Sequence, residues 1–374
     1  MRKMKKLLSV LLCVLLTASC LVIGTSAADG DSFSIACYNV AGLPNLKYIF
    51  GKEGGVDVNG NQKLIGEKLA ADDYDIIATQ EDFGYNDSLY GGLSSAYPFR
   101  TIHTGGVPGG DGMNVYAKTT VYNETRTKWN SSYGVINDGA DEMTPKGILY
   151  CVVEIADGVF ADLYDIHADA FSDEGSLAAR EDNLNQLAEL ILSKPAVRPV
   201  IVVGDFNASV SETKNCNIGA ILYEKAGLKD AWLEINNGGD YRDFTYFKET
   251  YGTSWGQKWG KWDSVEKVLY KNGGGVEIEP TACSYKFYRN DDGASLSDHA
   301  SINAVFSVKK TADFTGNTEM LTVTKTADFI ESTETLTVTK KNSFDMFIKK
   351  VFVIFTDLFK ALAHLDEALA YLKG

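Results

Sequence analysis

Two short polar strings in this 374-residue chain carry side chains able to do chemistry. Val202-Val203-Gly204-Asp205-Phe206-Asn207 ends an apolar run on a carboxylate and an amide, and Leu296-Ser297-Asp298-His299-Ala300 sets a histidine beside an acid. Earlier, Tyr38-Asn39-Val40 and Gln80-Glu81-Asp82 also close apolar stretches on oxygen donors. A hard divalent cation takes oxygen ligands, and Mg²⁺ keeps several of its waters, so one or two side chains suffice to hold it. Glu81 is the candidate direct ligand, with Asn39 beside it. Asp205 and Asn207 stand two apart, so in extended chain they point to one side and can organise a water and a phosphate oxygen. Gly204 lets the backbone come close to a ligand. Imidazole titrates near working pH, so His299 is expected to take a proton from an attacking water. His167, in Tyr164-Asp165-Ile166-His167-Ala168-Asp169, is expected to stabilise phosphate charge or protonate a leaving oxygen. Each residue alone also fits a turn or a core position; the ordered set points to a metal held against a phosphate.

These groups need strands to carry them. Phe33 to Val40, Asp75 to Gln80, Gly147 to Ile155, Phe160 to Ile166 and Val200 to Val203 are apolar or β-branched runs of strand length. Between them, Gln62 to Ala71 carries Leu64, Ile65 and Leu69 on one helical face. Leu177 to Leu192 repeats leucines at three-to-four spacing behind Ser176, a candidate cap. This alternation predicts an α/β fold with helices outside a sheet, and the chemistry sits at strand ends, where open sheets place ligands.

In order, Asn39, Glu81, His167, the Gly-Asp-Phe-Asn run and Ser297-Asp298-His299 resemble the endonuclease/exonuclease/phosphatase (DNase I-like) superfamily over about Ser32 to Val308. The resemblance implies a four-layer sandwich of two mixed β-sheets flanked by helices. It also implies Mg²⁺ (or another divalent cation) and cleavage of a phosphoester by in-line attack of water. In that frame Glu81 and Asn39 hold the metal, Asp205 and Asn207 organise water and phosphate, Asp298 supports the site, and His299 and His167 serve as base and acid. The family places an Asp before a late apolar strand to orient the base. Here Val265-Glu266-Lys267-Val268-Leu269-Tyr270 matches, so Glu266 takes that role, with Asp263 as the alternative.

Two features resemble the secreted sphingomyelinase branch. Lys146 and Gly147 form a turn leading into a strand, so Lys146 is expected on the substrate phosphate as a point charge. Phe244, Tyr246, Phe247, Tyr251, Trp255, Trp259 and Trp262 crowd the stretch before Glu266. Trp and Tyr suit a bilayer interface, although the same aromatics can stack on bases or cover a core. A phospholipid or other phosphodiester is the expected partner, with peripheral membrane contact through 244–262 or the C-terminal helix. A secreted DNase-type nuclease and a catalytically silent binding protein are the alternatives. The formal charge of −14 disfavours a polyanionic partner.

Outside the catalytic stretch (29–308) the chain changes character. Arg2, Lys3, Lys5 and Lys6 precede an apolar run from Leu7 to Ile23 and the small residues Thr25-Ser26-Ala27-Ala28, which predicts a signal peptide over 1–28 and an exported or cell-surface protein. Losing those four basic residues takes the formal charge from −14 to −18. A retained anchor is the alternative. Leu16-Thr17-Ala18-Ser19-Cys20 departs from lipoprotein processing because Thr17 replaces a large aliphatic. Cys37 and Cys151 lie in apolar runs and are expected as buried thiols. Residues 309–341 contain a tandem repeat of period 15, KTADFTGNTEMLTVT then KTADFIESTETLTVT, read as a linker or small surface strands. Residues 342–374 form an amphipathic pattern through Phe347, Val351, Phe355, Leu358 and Leu362. Self-docking or oligomer packing is expected first for that helix, and membrane adsorption second.

Overall fold

The structure, a computed structural model, describes residues 31–45, 55–134, 141–142, 144–211, 216–251, 263–316 and 321. The expected leader, most of the tandem repeat, the 342–374 helix and Trp255, Trp259 and Trp262 lie outside the described residues. The chain divides into two compact units, Met1–Lys325 and Thr326–Gly374, and all described residues belong to the first.

The apolar runs fold as strands that pair into two six-stranded mixed sheets. One sheet holds β1 (Asp31–Asn39), β2 (Ile76–Gln80), β3 (Phe99–Arg100), β4 (Asn114–Ala117), β11 (Val276–Lys286) and β12 (Ser301–Lys310), in the order β11-β12-β1-β2-β4-β3. The other holds β5 (Val121–Lys128), β6 (Gly147–Ala156), β7 (Val159–His167), β8 (Val200–Asp205), β9 (Lys229–Asp230) and β10 (Glu266–Lys271), in the order β5-β6-β7-β8-β10-β9. Each sheet has one parallel pair at its centre, β1 with β2 and β7 with β8, and the other pairs are antiparallel. β12 ends at Lys310, just past the boundary at 308 expected from composition.

Alternation along the strands sorts side chains between two apolar clusters. Phe33, Ile35 and Cys37 of β1 and Ile76 and Ala78 of β2 join the large core that includes β6, β7 and β8. Ala36, Tyr38 and Ile77 face the other way, against α1 (Val58–Asp72) and α2 (Asn86–Leu93) through Ile65, Leu69, Leu89 and Leu93. In α3 (Glu174–Ser193), Leu184, Leu187 and Ile191 enter the large core. Each fully buried leucine of this kind contributes about 1.5–3 kcal/mol. The cap of α3 is not Ser176 but Asp173, whose carboxylate accepts from the Gly175 and Ser176 amides. Ser176 sits inside the first turn and its hydroxyl donates to the same carboxylate at 2.6 Å. Asp takes the cap because, at this N-terminus, a charged acceptor also meets the positive end of the helix dipole. Among the described residues no helix is long and apolar enough to cross a membrane.

Register then delivers the chemistry. Asn39 stands opposite Gln80 in one sheet, one residue before Glu81. In the other sheet His167 pairs with Asp205, and Asp205 with Glu266, so three functional groups from three strands form one row.

Candidate active site

The two rows meet at one end of the sandwich, and Asn39 joins them. Its buried amide donates to Glu81 Oε1 at 3.1 Å within its own sheet and to Asp205 Oδ2 at 3.0 Å across to the other. Its Oδ1 accepts from the Ala41 amide at 3.1 Å, which fixes which way the amide faces. Ser297 Oγ donates to the Asn39 carbonyl at 2.7 Å and accepts from the His299 amide at 3.1 Å, so the loop before β12 is stitched to the end of β1.

Glu81 has φ of 55°, a left-handed backbone that a non-glycine residue adopts only when its surroundings compel it. Its carbonyl accepts from the amides of Gly42 (3.0 Å) and Phe83 (2.9 Å). A Cβ on residue 42 would collide with that carbonyl, so glycine is required there. Burial pushes the Glu81 carboxyl up, against the opposing pull of Lys146, Asn39 and His299.

His299 Nδ1 lies 2.5 Å from Glu266 Oε1 and 3.8 Å from Asp205 Oδ2. Burial alone would lower its pKa, but Asp205, Glu266 and Asp298 outweigh burial and raise it to about 10. The imidazole is therefore protonated at neutral pH. Asp205 shows the reverse. Burial would raise its pKa, yet His299, His167 and the Asn39 amide bring it down to about 2. His167 is buried, with Nε2 3.7 Å from Asp205 Oδ2 and its carbonyl held by Trp129 Nε1 at 2.7 Å. Burial and the nearby Lys146 push its pKa well below the ordinary value, so it is neutral.

Lys146 is almost fully buried and ion-paired with Asp141, whose other oxygen accepts from the Ala170 amide at 2.9 Å. Beside this pair opens a cleft of about 300 Å³ lined by Trp129, Glu142, Pro145 and Asp169 among others. Asp169 is itself buried, and burial first, then Asp141, carries its pKa to about 7.

Two expected geometries differ. The strand ends at Asp205 and Asn207 turns into the left-handed region at φ 49°, so the pair does not lie in extended chain. Asp205 Oδ1 instead accepts from the Asn207 amide at 2.9 Å, a short turn, and Asn207 Nδ2 donates to the Ala168 carbonyl at 3.1 Å. Asp298 points to solvent with an 81% exposed side chain, no closer than 3.9 Å to His299 Nε2. The structure brings Glu266 rather than Asp263 to the histidine. Asp263 is engaged with Lys267 Nζ at 2.5 Å and with the Val210 and Ser211 amides. Asn39, Glu81, His167, Asp205, Glu266 and His299 thus form one connected cluster. Asp141 and Trp129, which hold Lys146 and His167, were not singled out from sequence. An acid five residues before a buried lysine was the signal for Asp141; nothing local marks Trp129.

Oxygen donors dominate the cluster, which suits a hard cation. The ligand-type atoms of Asp205, Glu266 and His299 also lie within 4.8 Å of one another. Among these, the His299 nitrogen is already engaged by Glu266, whereas the carboxylate of Glu81 is held up by burial, a state that a bound cation reverses.

The two-sheet fold, the order of the strand-end residues and a match of residues 36–264 to the Endonuclease/Exonuclease/phosphatase family place this chain in that family, a family of hydrolases acting on phosphoesters. Curated relatives are more specific. The chain is 30% identical over 295 residues to proteins named sphingomyelinase from Mycobacterium bovis and Mycobacterium tuberculosis, covering 74% of this chain and 52% of theirs. It therefore spans about half the length of the curated relatives it matches. Among solved structures, humanized D. rerio TDP2 superposes with a TM-score of 0.53 at 16% identity, over 74% of this chain and 98% of that one. SmcL superposes at 0.50 and 17% identity, over 74% and 99%. At these identities the superpositions establish the DNase I-like fold.

Proposed function

We propose that this chain is an exported, Mg²⁺-dependent phosphodiesterase of sphingomyelinase C type, which hydrolyses the bond between a lipid alcohol and its phosphorylated head group. The observation that carries the reading is the Asn39 amide bridging Glu81 and Asp205 beside the Glu266–His299 pair, in a chain 30% identical to proteins named sphingomyelinase.

Glu81 would hold the cation as an oxygen donor, and Asn39, whose amide nitrogen rather than its oxygen faces the site, would orient the Glu81 and Asp205 carboxylates around it. A bound divalent cation supplies positive charge against the phosphate oxygens. The remaining work falls to the protein's own groups. Glu266 fixes the ring of His299, as an acid orients the histidine of a catalytic triad. Once His299 has lost its proton it is a strong base for the attacking water, because two carboxylates stabilise the imidazolium that results. Asp205, ionised at all working pH, keeps that charge balanced. His167 is neutral and donates to the departing oxygen, with Lys146 adding a fixed positive charge next to it. The cleft beside Lys146 gives a head group room next to the phosphate. The surface carries net negative charge, which disfavours a polyanionic substrate.

The deciding experiment incubates purified protein with sphingomyelin vesicles and, separately, with plasmid DNA, each with and without chelator. Phosphocholine release that chelation stops and Mg²⁺ restores is the expected result. Nicked DNA with intact lipid would replace this reading with a nuclease, and no turnover of either would favour the silent binding protein.

A further inference from the structure

We propose that Asp165 is a positioning residue that sets Glu81 against His167 from one layer below the site, acting through Gln80. This rests on the reading of Glu81 as a metal ligand. The strand files that carry Asn39 and His167 continue inward as Cys37 and Asp165, two residues earlier on the same faces. Gln80, opposite Asn39 in register, sends its amide across the sandwich to within 2.6 Å of Asp165 Oδ1. The same amide lies against Cys37 Sγ, with Nε2 at 3.5 Å and Oε1 at 3.6 Å. All three side chains are shut from solvent. Beneath the Asn39–Asp205 bridge there is thus a second polar tie between the sheets.

The chemistry of that tie is unusual for a carboxyl. Asp165 makes no ion pair among the described residues, and its Oδ2 has no hydrogen-bond partner there. Burial, the dominant influence, raises its pKa well above the carboxylate range, so the group is a neutral acid. A separation of 2.6 Å fits an O–H···O contact better than an N–H···O one. Amide oxygen and nitrogen exchange places by a simple flip, so the acid proton donates to Gln80 Oε1 while Gln80 Nε2 turns to Cys37. Gln80 is the residue before Glu81, whose left-handed backbone must be held by its neighbours. A tie at Gln80 therefore fixes the strained residue relative to β7 and β8. An apolar side chain at 165 would fill the space without holding the register.

The test reads cation binding to the full chain without substrate, by calorimetric titration with Mn²⁺, together with Tm. Asp165→Asn keeps a neutral donor and is expected to bind within about threefold of the wild type. Asp165→Leu is expected to bind about 10–100-fold more weakly, the range seen when groups behind a metal ligand are lost. Asp165→Leu leaves Gln80 unsatisfied and is the variant at risk of misfolding. Gln80→Leu with Asp165→Leu removes both partners, so it should regain the wild-type Tm while still binding weakly. Wild-type affinity in the double variant, or Asp165→Asn as weak as Asp165→Leu, would overturn the proposal. Failure to cleave sphingomyelin leaves this measurement untouched, so the two readings fail separately.

Discussion

Strand β10 carries two clusters of buried charge on its opposite faces, and they behave differently. Lys267 points to one side, where Asp263 (2.5 Å) and Asp230 (3.6 Å) share its ammonium. Asp263 also caps the Val210 and Ser211 amides, and Asp230 accepts from Tyr223 and the Trp232 and Leu233 amides. Burial opposes both charges of the Asp263–Lys267 pair, yet each stabilises the other: the acid is held below its ordinary range and the amine above. Glu266 points to the other side, where His299 keeps 21% of its side chain exposed and His167 Nδ1 has no hydrogen-bond partner among the described residues. The first cluster is closed and has no proton to give. The second is left incomplete, with one histidine driven up by its carboxylate partners and the other driven down by burial and Lys146. Buried charge alone does not mark function; at β10 the closed face is saturated with partners and the open one is not.

Substitutions on the two faces should separate activity from stability. His299→Ala is expected to lower kcat per folded molecule by about 10³–10⁴-fold, the scale of a lost general base, with a smaller loss of Tm because Glu266 and Asp205 lose their cationic partner. Steady-state turnover set beside a thermal melt checks this, and full turnover in the variant would remove His299 from the chemistry. Lys267→Met should do the opposite. Stranding two buried carboxylates is expected to cost about 3–5 kcal/mol in denaturant unfolding, while activity per folded molecule stays at wild type. A loss of turnover exceeding the loss of folded protein would show that the two faces are coupled.

The pH dependence gives a finer test. His299 has a folded pKa of about 10, above its ordinary 6.5. Its contribution to stability is therefore fully present below about pH 6.5 and lost as pH rises through about 10. kcat/KM should rise with pH over the same window as the base form appears. Glu266→Gln removes one of the carboxylates that raise the pKa, so the alkaline limb should move to lower pH while the plateau falls. A limb that stays in place would mean that a different group titrates. Asp298→Asn is expected to have the smallest effect, within about twofold in kcat/KM, because an exposed charge is screened by solvent.

Much of this arrangement was readable beforehand, for identifiable reasons. β1, β2, β7 and β8 are central strands, so each is largely apolar, and the polar residue that closes it (Asn39, Glu81 just past β2, His167, Asp205) is the one placed at the site. β5 and β11 sit at sheet edges and read VYNETRTK and VEIEPTACSYK, where polar alternation and Pro280 leave no such run. Glu266 could be found because it opens an apolar strand, but whether it or Asp263 met the histidine depended on strand register, which the sequence does not display. Adjacency in sequence pairs Asp298 with His299, yet in the structure its side chain is 81% exposed and 3.9 Å from the ring. Leu296 to His299 form a bend before β12, and there the Asp298 side chain turns to solvent while the His299 ring turns inward to Glu266. Asn207 was placed in extended chain because nothing in Gly-Asp-Phe-Asn announces that the strand stops at its acid.

The left-handed backbone at Glu81 has an evolutionary corollary. A glycine or asparagine relieves that conformation at once, so only a continuing need for the carboxylate keeps glutamate in place. Were the proposed site to fall out of use, position 81 would be among the first expected to relax to either residue.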